Sequence, residues 1–339
     1  MKAVKNKSRL LLGLRRSPAD LTTAKYIYYY GPSYGDSSIY ELDDFETMMQ
    51  DPKFDKTRNT VLYLHGYIEN PDVESIHVIV EAYLKRTDTN LIVLDWGELA
   101  DGNYAFDAVV NAKQLGPVLA KHLLKQFDNG LNIDKFHIVG HSLGGQMAGI
   151  IGREVWERSQ KTKKIKRITG LDPAFPLFYM GGLARHLCKY DAEFVDVMHT
   201  DAWIYGAPSS AATADFWPNA GKTLQPGCPK RNYRMLTDND LSSHRRSWWF
   251  WAESVADKYP DKFNAVKAKN WSDFKEGKLI NDDRLHVVMG HNCPTNISGD
   301  YFLQTNGSKP YARGVAGTRY IEPKELPGFK YCEEEELRT

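Results

Sequence analysis

Gly140-His-Ser-Leu-Gly144 is a Gly-x-Ser-x-Gly motif, set between the apolar run Phe136–Val139 and a helix-like stretch from Gln146 to Arg158. A chain passes from buried strand to helix in so few residues only through a sharp turn. The apex residue then sits in a strained backbone conformation, with its side chain presented above the strand. Glycine two positions to either side removes the Cβ atoms that would collide as strand and helix close up. The bare pattern is common. Its strand and helix flanks are what make Ser142 a candidate nucleophile.

With 339 residues the chain has room for one large domain or two ordinary ones. A net charge of +1 provides no global field for nucleic acid. No apolar run approaches the roughly 20 residues that a membrane span requires. Near the N-terminus, Lys2, Lys5, Lys7 and Arg9 precede a short apolar run, Leu10–Leu14, which Arg15 and Arg16 end. That run falls short of the ~7–15 residues of a secretory signal core. We expect a poorly ordered leader over 1–25, a single domain over 26–332, and a solvated acidic tail over 333–339. Cys188, Cys228, Cys293 and Cys332 allow two disulfides in three connectivities. None has close metal-ligand spacing, and no metal site is expected. Asn-x-Ser sequons stand at Asn6, Asn270, Asn296 and Asn306, and would matter in a secreted protein.

Strands are predicted at Thr60–Leu64, Leu91–Leu94, Phe136–Val139, Arg167–Leu171 and Phe194–Met198. Most are continuous apolar runs, as suits strands buried on both faces. Helices are predicted between them, at Val73–Lys85, Phe106–Phe127 and Gln146–Arg158. The alternation implies an α/β fold with a mostly parallel central sheet flanked by helices. Beyond residue 200 we expect loop over Ala207–Pro229, a helix at Ser247–Tyr259, and short strands at Leu285–Met289, Tyr301–Gln304 and Tyr311–Arg313. The basic run Lys161–Arg167 reads as a solvated connector.

A serine hydroxyl needs a base, and the base needs an orienting carboxylate. On this type of elbow the chain order is serine, acid, histidine. Asp172 directly follows the strand Arg167–Leu171, at the carboxyl end where catalytic groups gather. Asp196, inside a strand, is the weaker rival. Five histidines follow Ser142: His186, His199, His244, His286 and His291. His199 ends a strand and His244 lies in an expected loop, Asp238–Ser243. Spacing does not separate these two. An oxyanion hole needs two backbone N–H groups, and Leu143 and Tyr67 are the candidates. Tyr67 follows the turn His65-Gly66.

These pieces resemble the pancreatic-lipase superfamily, and within it the single-domain insect lipases and A1-type phospholipases. The resemblance is carried by Leu64-His-Gly-Tyr67, Val93-Leu-Asp-Trp-Gly97, Gly140-His-Ser-Leu-Gly-Gly145, Leu171-Asp-Pro-Ala174, Phe194-Val-Asp-Val-Met-His-Thr-Asp201, Asp215-Phe-Trp-Pro-Asn219 and Ser243-His-Arg-Arg-Ser247. They run in family order over about residues 60–313. The resemblance implies an α/β-hydrolase fold, with Ser142 as nucleophile, Asp172 as acid and His244 as base. It implies Tyr67 and Leu143 as hole donors, and leaves His199 structural. The classical digestive members add a C-terminal β-sandwich that binds colipase. Neither that domain nor a colipase partner is expected here.

Two departures stand out. The family tethers its lid by a disulfide whose second cysteine directly precedes the catalytic histidine. Cys228 matches the first position, but Ser243 occupies the second. The family's calcium site falls on Leu183–Asp191, where only Asp191 keeps the expected residue type, so calcium is not expected. The lid, Pro229–Ser242, is short and carries Lys230, Arg231, Arg234, Met235 and Leu236. The stretch Ala202–Ala214 is short too. In this family short segments go with phospholipid substrates, and the lid cations suit charged headgroups. The expected activity is therefore lipid-ester hydrolysis through an acyl-enzyme without a cofactor, at the sn-1 ester of phospholipids. Triacylglycerol lipase, general esterase and a non-catalytic, yolk-like lipid-binding protein are the alternatives. The substrate would be met at a lipid–water interface, with peripheral membrane contact, outside the cell. Of the aromatics Trp248–Trp251, most are expected in the core.

Overall fold

The computed structural model describes residues 19–182, 184–231, 234–280 and 286–329. Most of the leader, the acidic tail and Cys332 lie outside them. The last part of the expected leader is structured. Leu21–Thr23 forms a 3₁₀ turn capped by Asp20, and Lys25 begins the first strand.

One 11-stranded sheet organises the chain. Its strands are β1 (Lys25–Tyr29), β2 (Ser37–Glu41), β3 (Asn59–Leu64), β4 (Thr89–Asp95), β5 (Phe136–His141), β6 (Arg167–Leu171), β7 (Phe194–Met198), β8 (Ala214–Pro218), β9 (Asn264–Lys267), β10 (Val287–Val288) and β11 (Gly299–Leu303). The spatial order is β10-β9-β11-β8-β7-β6-β5-β3-β4-β1-β2. From β4 across to β11 all neighbours are parallel. Antiparallel strands close both edges. This is the expected mostly parallel α/β sheet, with β7, β6 and β5 at its centre.

Successive residues of each strand face opposite sides. Tyr26, Tyr28, Leu62, Leu64, Ile92, Leu94 and Ile138 enter one core. Ile27, Tyr29, Val61, Tyr63, Leu91, Val93 and Val139 enter the other. Four helices cover these faces: α1 (Glu74–Tyr83), α2 (Val109–Asp128), α3 (Leu143–Arg158) and α4 (Asp238–Ala256). α2 packs with α3 on the first face, and α1 with α4 on the second. Trp248, Phe250 and Trp251 of α4 are buried, and Trp249 is half-buried under the Lys309 ammonium. The core reading of this aromatic run therefore holds. Apolar burial on both faces is the main stabilising term of such a sheet.

Four expectations need correction. β1, β2 and β9 were not foreseen, because their tyrosines and polar residues give no continuous apolar run. β8 lies inside the expected loop Ala207–Pro229, where Asp215 and Pro218 masked it. Tyr311–Arg313 is not a strand. Asp238–Ser243 is the first part of α4, not a loop, so His244 sits on a helix. Thr237 caps that helix, its side chain accepting from Asp240 N, and Asp238 and Asp240 favour the positive helix end.

Backbone packs tightly at the turn from β5 into α3. Cβ atoms on Gly140 and Gly144 would overlap the carbonyl oxygens of Gly144 and Leu64 respectively. No side-chain movement relieves a clash with backbone. Gly144→Ala should therefore destabilise the protein by more than about 3 kcal/mol. A chemical-denaturation midpoint close to wild type would contradict that.

Candidate active site

Ser142 stands between β5 and α3 with φ 52° and ψ −118°, the strained conformation the motif foretells. Its N–H donates to Leu171 O at 3.0 Å, and its carbonyl accepts from Ala174 N at 3.0 Å. The apex is thus tied to the far end of β6. Asp172 directly follows β6 and also has positive φ, 46°. Its N–H donates to Met198 O at 2.8 Å. The carboxyl is fully buried, with Gly206 packed so closely that a Cβ there would overlap it.

His244 comes from α4, on the opposite face of the sheet from α3. Asp172 Oδ2 accepts from His244 Nδ1 at 2.6 Å. Asp172 Oδ1 accepts from the N–H groups of Thr200 and Asp201, at 2.8 and 3.2 Å. A carboxylate only accepts, so the imidazole carries its proton on Nδ1 and leaves Nε2 available. The histidine's own carbonyl accepts from Ser247 Oγ at 2.8 Å and Thr200 Oγ1 at 3.3 Å. Two residues on, Arg246 donates to Tyr311 Oη, Pro226 O and Gly307 O, which anchors this turn of the helix.

His199 and Asp196 are placed elsewhere by their partners. His199 is held between Ala207 O and Asp215 Oδ1, stacked on Trp217 with ring centroids 3.7 Å apart. Asp196 receives a two-pronged ion pair from Arg167, both contacts at 2.8 Å, and a hydrogen bond from Thr169. Neither has capacity left for the site.

Ser142 and His244 line one cavity of about 960 Å³. Tyr67, Ile68, Val73, Tyr104, Pro176, Tyr205, Met235, Leu236, Leu241 and Trp248 form much of its apolar wall. Leu143 opens α3, where the first N–H groups lack intrahelical acceptors. Tyr67 follows β3 directly across from the elbow, and a Cβ on Gly66 would stand 3.0 Å from Ser142 Cβ. Gly66, the residue before Tyr67, thus packs against Ser142, and Leu143 directly follows it in the chain.

The sequence reading missed Glu69 and His141. Glu69 Oε2 accepts from His141 Nδ1 at 3.0 Å and from Gly66 N at 2.5 Å, and Oε1 accepts from Ser75 Oγ at 2.8 Å. Burial opposes this charge, but His141, His65 and the Gly66 N–H outweigh it and hold the carboxyl well below the usual range. The sequence signals were faint: His141 is the variable position of the motif, and Glu69 lies two residues past a hole donor.

The lid residues are only partly as expected. Met235 and Leu236 are exposed and border the cavity, and Lys230 and Arg234 are exposed. Arg231 is not a free headgroup ligand, since it pairs with Asp240 and lies over the Tyr205 ring at 5.4 Å. Tyr205 Oη also bonds Asp240, and Leu236 N donates to Asp240 Oδ2 at 2.9 Å. The second part of the expected lid, from Asp238, is helix. Asn232 and Tyr233 lie outside the described residues.

Cys188, Cys228 and Cys293 are free and buried, so the disulfides considered from sequence are not formed among the described residues. Ser243, where the family would place its second lid cysteine, accepts from Gln225 N at 3.0 Å and Thr223 Oγ1 at 3.4 Å. At the family's calcium position, Asp191 is fully buried, and Arg153 donates to its Oδ2 at 2.7 Å. The same guanidinium donates to Arg185 O at 3.0 Å and His186 O at 3.3 Å. The oxygens a metal ion would use face an arginine, so these residues do not fit calcium. Leu183 of that stretch lies outside the described residues.

The chain belongs to the lipase family, whose model, described as Lipase, matches residues 14–311. Lipase member H-A of Xenopus laevis is 39% identical over 203 residues, 59% of this chain and 42% of that protein. Pancreatic triacylglycerol lipase of Equus caballus is 30% identical over 302 residues, 80% of this chain and 63% of that protein. Inactive pancreatic lipase-related protein 1 of Homo sapiens is 27% identical over 321 residues, 88% of this chain and 66% of that protein. The chain thus spans less than half the length of the first of these relatives. Among the described residues no helix is long and apolar enough to cross a membrane.

Two outcomes follow from the buried charges. The Arg153→Ala variant should lose about 3 kcal/mol, because buried Asp191 would keep only the longer Arg185 pair at 3.4 Å and the Cys188 N–H at 2.8 Å. EDTA should leave the wild-type melting temperature unchanged, and a drop on chelation would refute the arginine-filled reading. Asp201, fully buried beside Asp172, has no hydrogen-bond partner for either carboxyl oxygen. Burial, then the Asp172 charge, push it up to about 7. The native state holds a proton that the unfolded state releases near its ordinary value. Stability therefore falls as pH rises from about 4 to 7, by an amount on the order of 4 kcal/mol. The melting temperature of Asp201→Asn relative to wild type should rise between pH 5 and pH 8, and a pH-independent difference would contradict it.

Proposed function

We propose that this chain is a lipid carboxylic-ester hydrolase that works through an acyl-enzyme on Ser142. The observation that carries this reading is the hydrogen bond of His244 to the buried Asp172 carboxylate, with His244 and Ser142 on one cavity wall. His244 Nε2 takes the Ser142 proton as Oγ attacks the ester carbonyl. The oxyanion that forms is held by the Leu143 and Tyr67 N–H groups, at about 3 kcal/mol per donor. His244 then gives its proton to the departing alcohol, and Asp172 stabilises the imidazolium. A water molecule, deprotonated by His244, releases the acid.

The apolar wall and mouth of the cavity support a lipid substrate. Ile68, Met235 and Leu236 border it with exposed apolar surface. Trp203, 53% exposed, stands two residues from cavity-lining Tyr205. Trp at such an edge suits a water–lipid boundary. We assign the sn-1 ester of phospholipids as the preferred bond. The short lid and the short connection between β7 and β8 support this, and the exposed Lys230 places cationic charge on the lid. The preference rests on family likeness, and the enzyme would act from outside the cell on a membrane or lipid aggregate. A neutral acylglycerol is the second reading, favoured by the predominantly apolar cavity and the similarity to a pancreatic triacylglycerol lipase.

Ser142→Ala should lower turnover of a short-chain ester at least about 10⁴-fold with an unchanged melting temperature. A fluorophosphonate should label the wild-type chain at Ser142, and an unlabelled wild type would favour a non-catalytic lipid-binding role. Product analysis on mixed-acyl phosphatidylcholine and on triacylglycerol separates the substrates. Release of the sn-1 acid from the former supports our assignment, and cleavage of triacylglycerol alone refutes it.

A further inference from the structure

We infer that Glu69 is a positioning residue for the oxyanion hole, its one carboxylate tying the backbone beneath one hole donor to the residue beneath the nucleophile. The inference rests on the hydrolase reading above and concerns a residue outside the triad. Tyr67 N–H is useful only if the loop after β3 keeps a fixed distance from Ser142. Hydrogen bonds within that loop fix one side of it: Trp96 donates through Nε1 to His65 O at 3.1 Å and through its N–H to His65 Nε2 at 3.3 Å. They do not join the loop to the elbow. Glu69 makes that connection. Oε2 receives Gly66 N–H, one residue before Tyr67, and His141 Nδ1, one residue before Ser142. Oε1 receives Ser75 Oγ from α1, which fixes the carboxylate plane.

The donor set needs a carboxylate. Three donors converge on two oxygens, and both oxygens must accept. A glutamine offers one accepting oxygen and turns an NH₂ toward the remaining donor. Gly66, Ser75 and His141 are themselves buried, which makes an unmet donor among them costly. His141 itself is 3% exposed, and its ring centroid lies 4.8 Å from that of His244. Two carboxylate–imidazole pairs therefore stand side by side at the elbow. Asp172–His244 performs the proton transfer, and Glu69–His141 holds the frame in which the oxyanion develops. Such a residue affects the transition state more than the bound substrate.

The test uses Glu69→Gln, and Ser75→Ala as a milder variant that removes only the Oε1 anchor. Active sites are counted with a fluorophosphonate, and kcat is expressed per labelled site on a soluble short-chain ester. Glu69→Gln should lower kcat per site roughly 30- to 100-fold with KM within about twofold. Ser75→Ala should lower it several-fold. Affinity for an alkyl boronic acid, which mimics the tetrahedral oxyanion, should fall in parallel with kcat/KM. A merely structural Glu69 would reduce the labelled fraction and the melting temperature but leave kcat per site and boronate affinity unchanged. That result in both variants overturns the inference and leaves the triad standing. Absence of label on the wild-type chain would sink the triad reading, and this inference with it.

Discussion

At Ser142 the backbone leaves β5 and reverses into α3 with positive φ, and the surrounding structure is built to hold that reversal. Strand and helix meet there so closely that carbonyl oxygens occupy the space where side chains would begin. Strain of this kind persists only where neighbours over-determine it. The apex is pinned through Leu171 and Ala174 to the end of β6, the strand that delivers Asp172. One set of backbone bonds therefore fixes Ser142 and Asp172 together. His244 comes from α4, across a gap in sequence of 72 residues from Asp172, and is joined by a single short bond to a fully buried carboxylate. Geometry that depends on so few contacts requires a rigid support. The sheet, buried on both faces, provides it.

The site was legible where the chain is under backbone constraint. Gly140 and Gly144 announced the elbow because only glycine fits, and Asp172 showed itself by ending a buried strand. The central strands β3 to β7 were visible for the same reason: burial on both faces forces unbroken apolar runs. The edge strands were not. β1 alternates tyrosines between two cores, and tyrosine signals neither face. β8 contains Asp215 and Pro218, which read as loop until Asp215 is seen to hold His199.

The helical setting of His244 was hidden for a different reason. Asp238, Asn239 and Asp240 look like turn residues, yet they form the first turn of α4, where acidic side chains meet the positive helix end. Asp240 in addition takes Arg231 and Tyr205, contacts between residues distant in sequence that periodicity does not register. The tie between His199 and His244 was settled from sequence only by resemblance to a family. The structure separates them by chemistry. His199 has both ring nitrogens committed to fixed partners, whereas His244 has one committed and one available.

Glu69, Ser243 and Arg153 share a logic. Each is a polar side chain holding two segments at a place where a stronger or more familiar device could have stood. Ser243, where the family resemblance implies a cysteine, ties the segment before Cys228 to α4 by hydrogen bonds from Gln225 and Thr223. Arg153 sets a guanidinium against a buried carboxylate and two carbonyls, so the order of the loop before β7 travels with the chain rather than with a dissolved ion. A guanidinium matches this task because its fork reaches several oxygens in one plane and stays charged at any accessible pH. The consequence is a scaffold whose rigid parts are maintained by internal charge pairing, Arg153 with Asp191 and Arg231 with Asp240 among them.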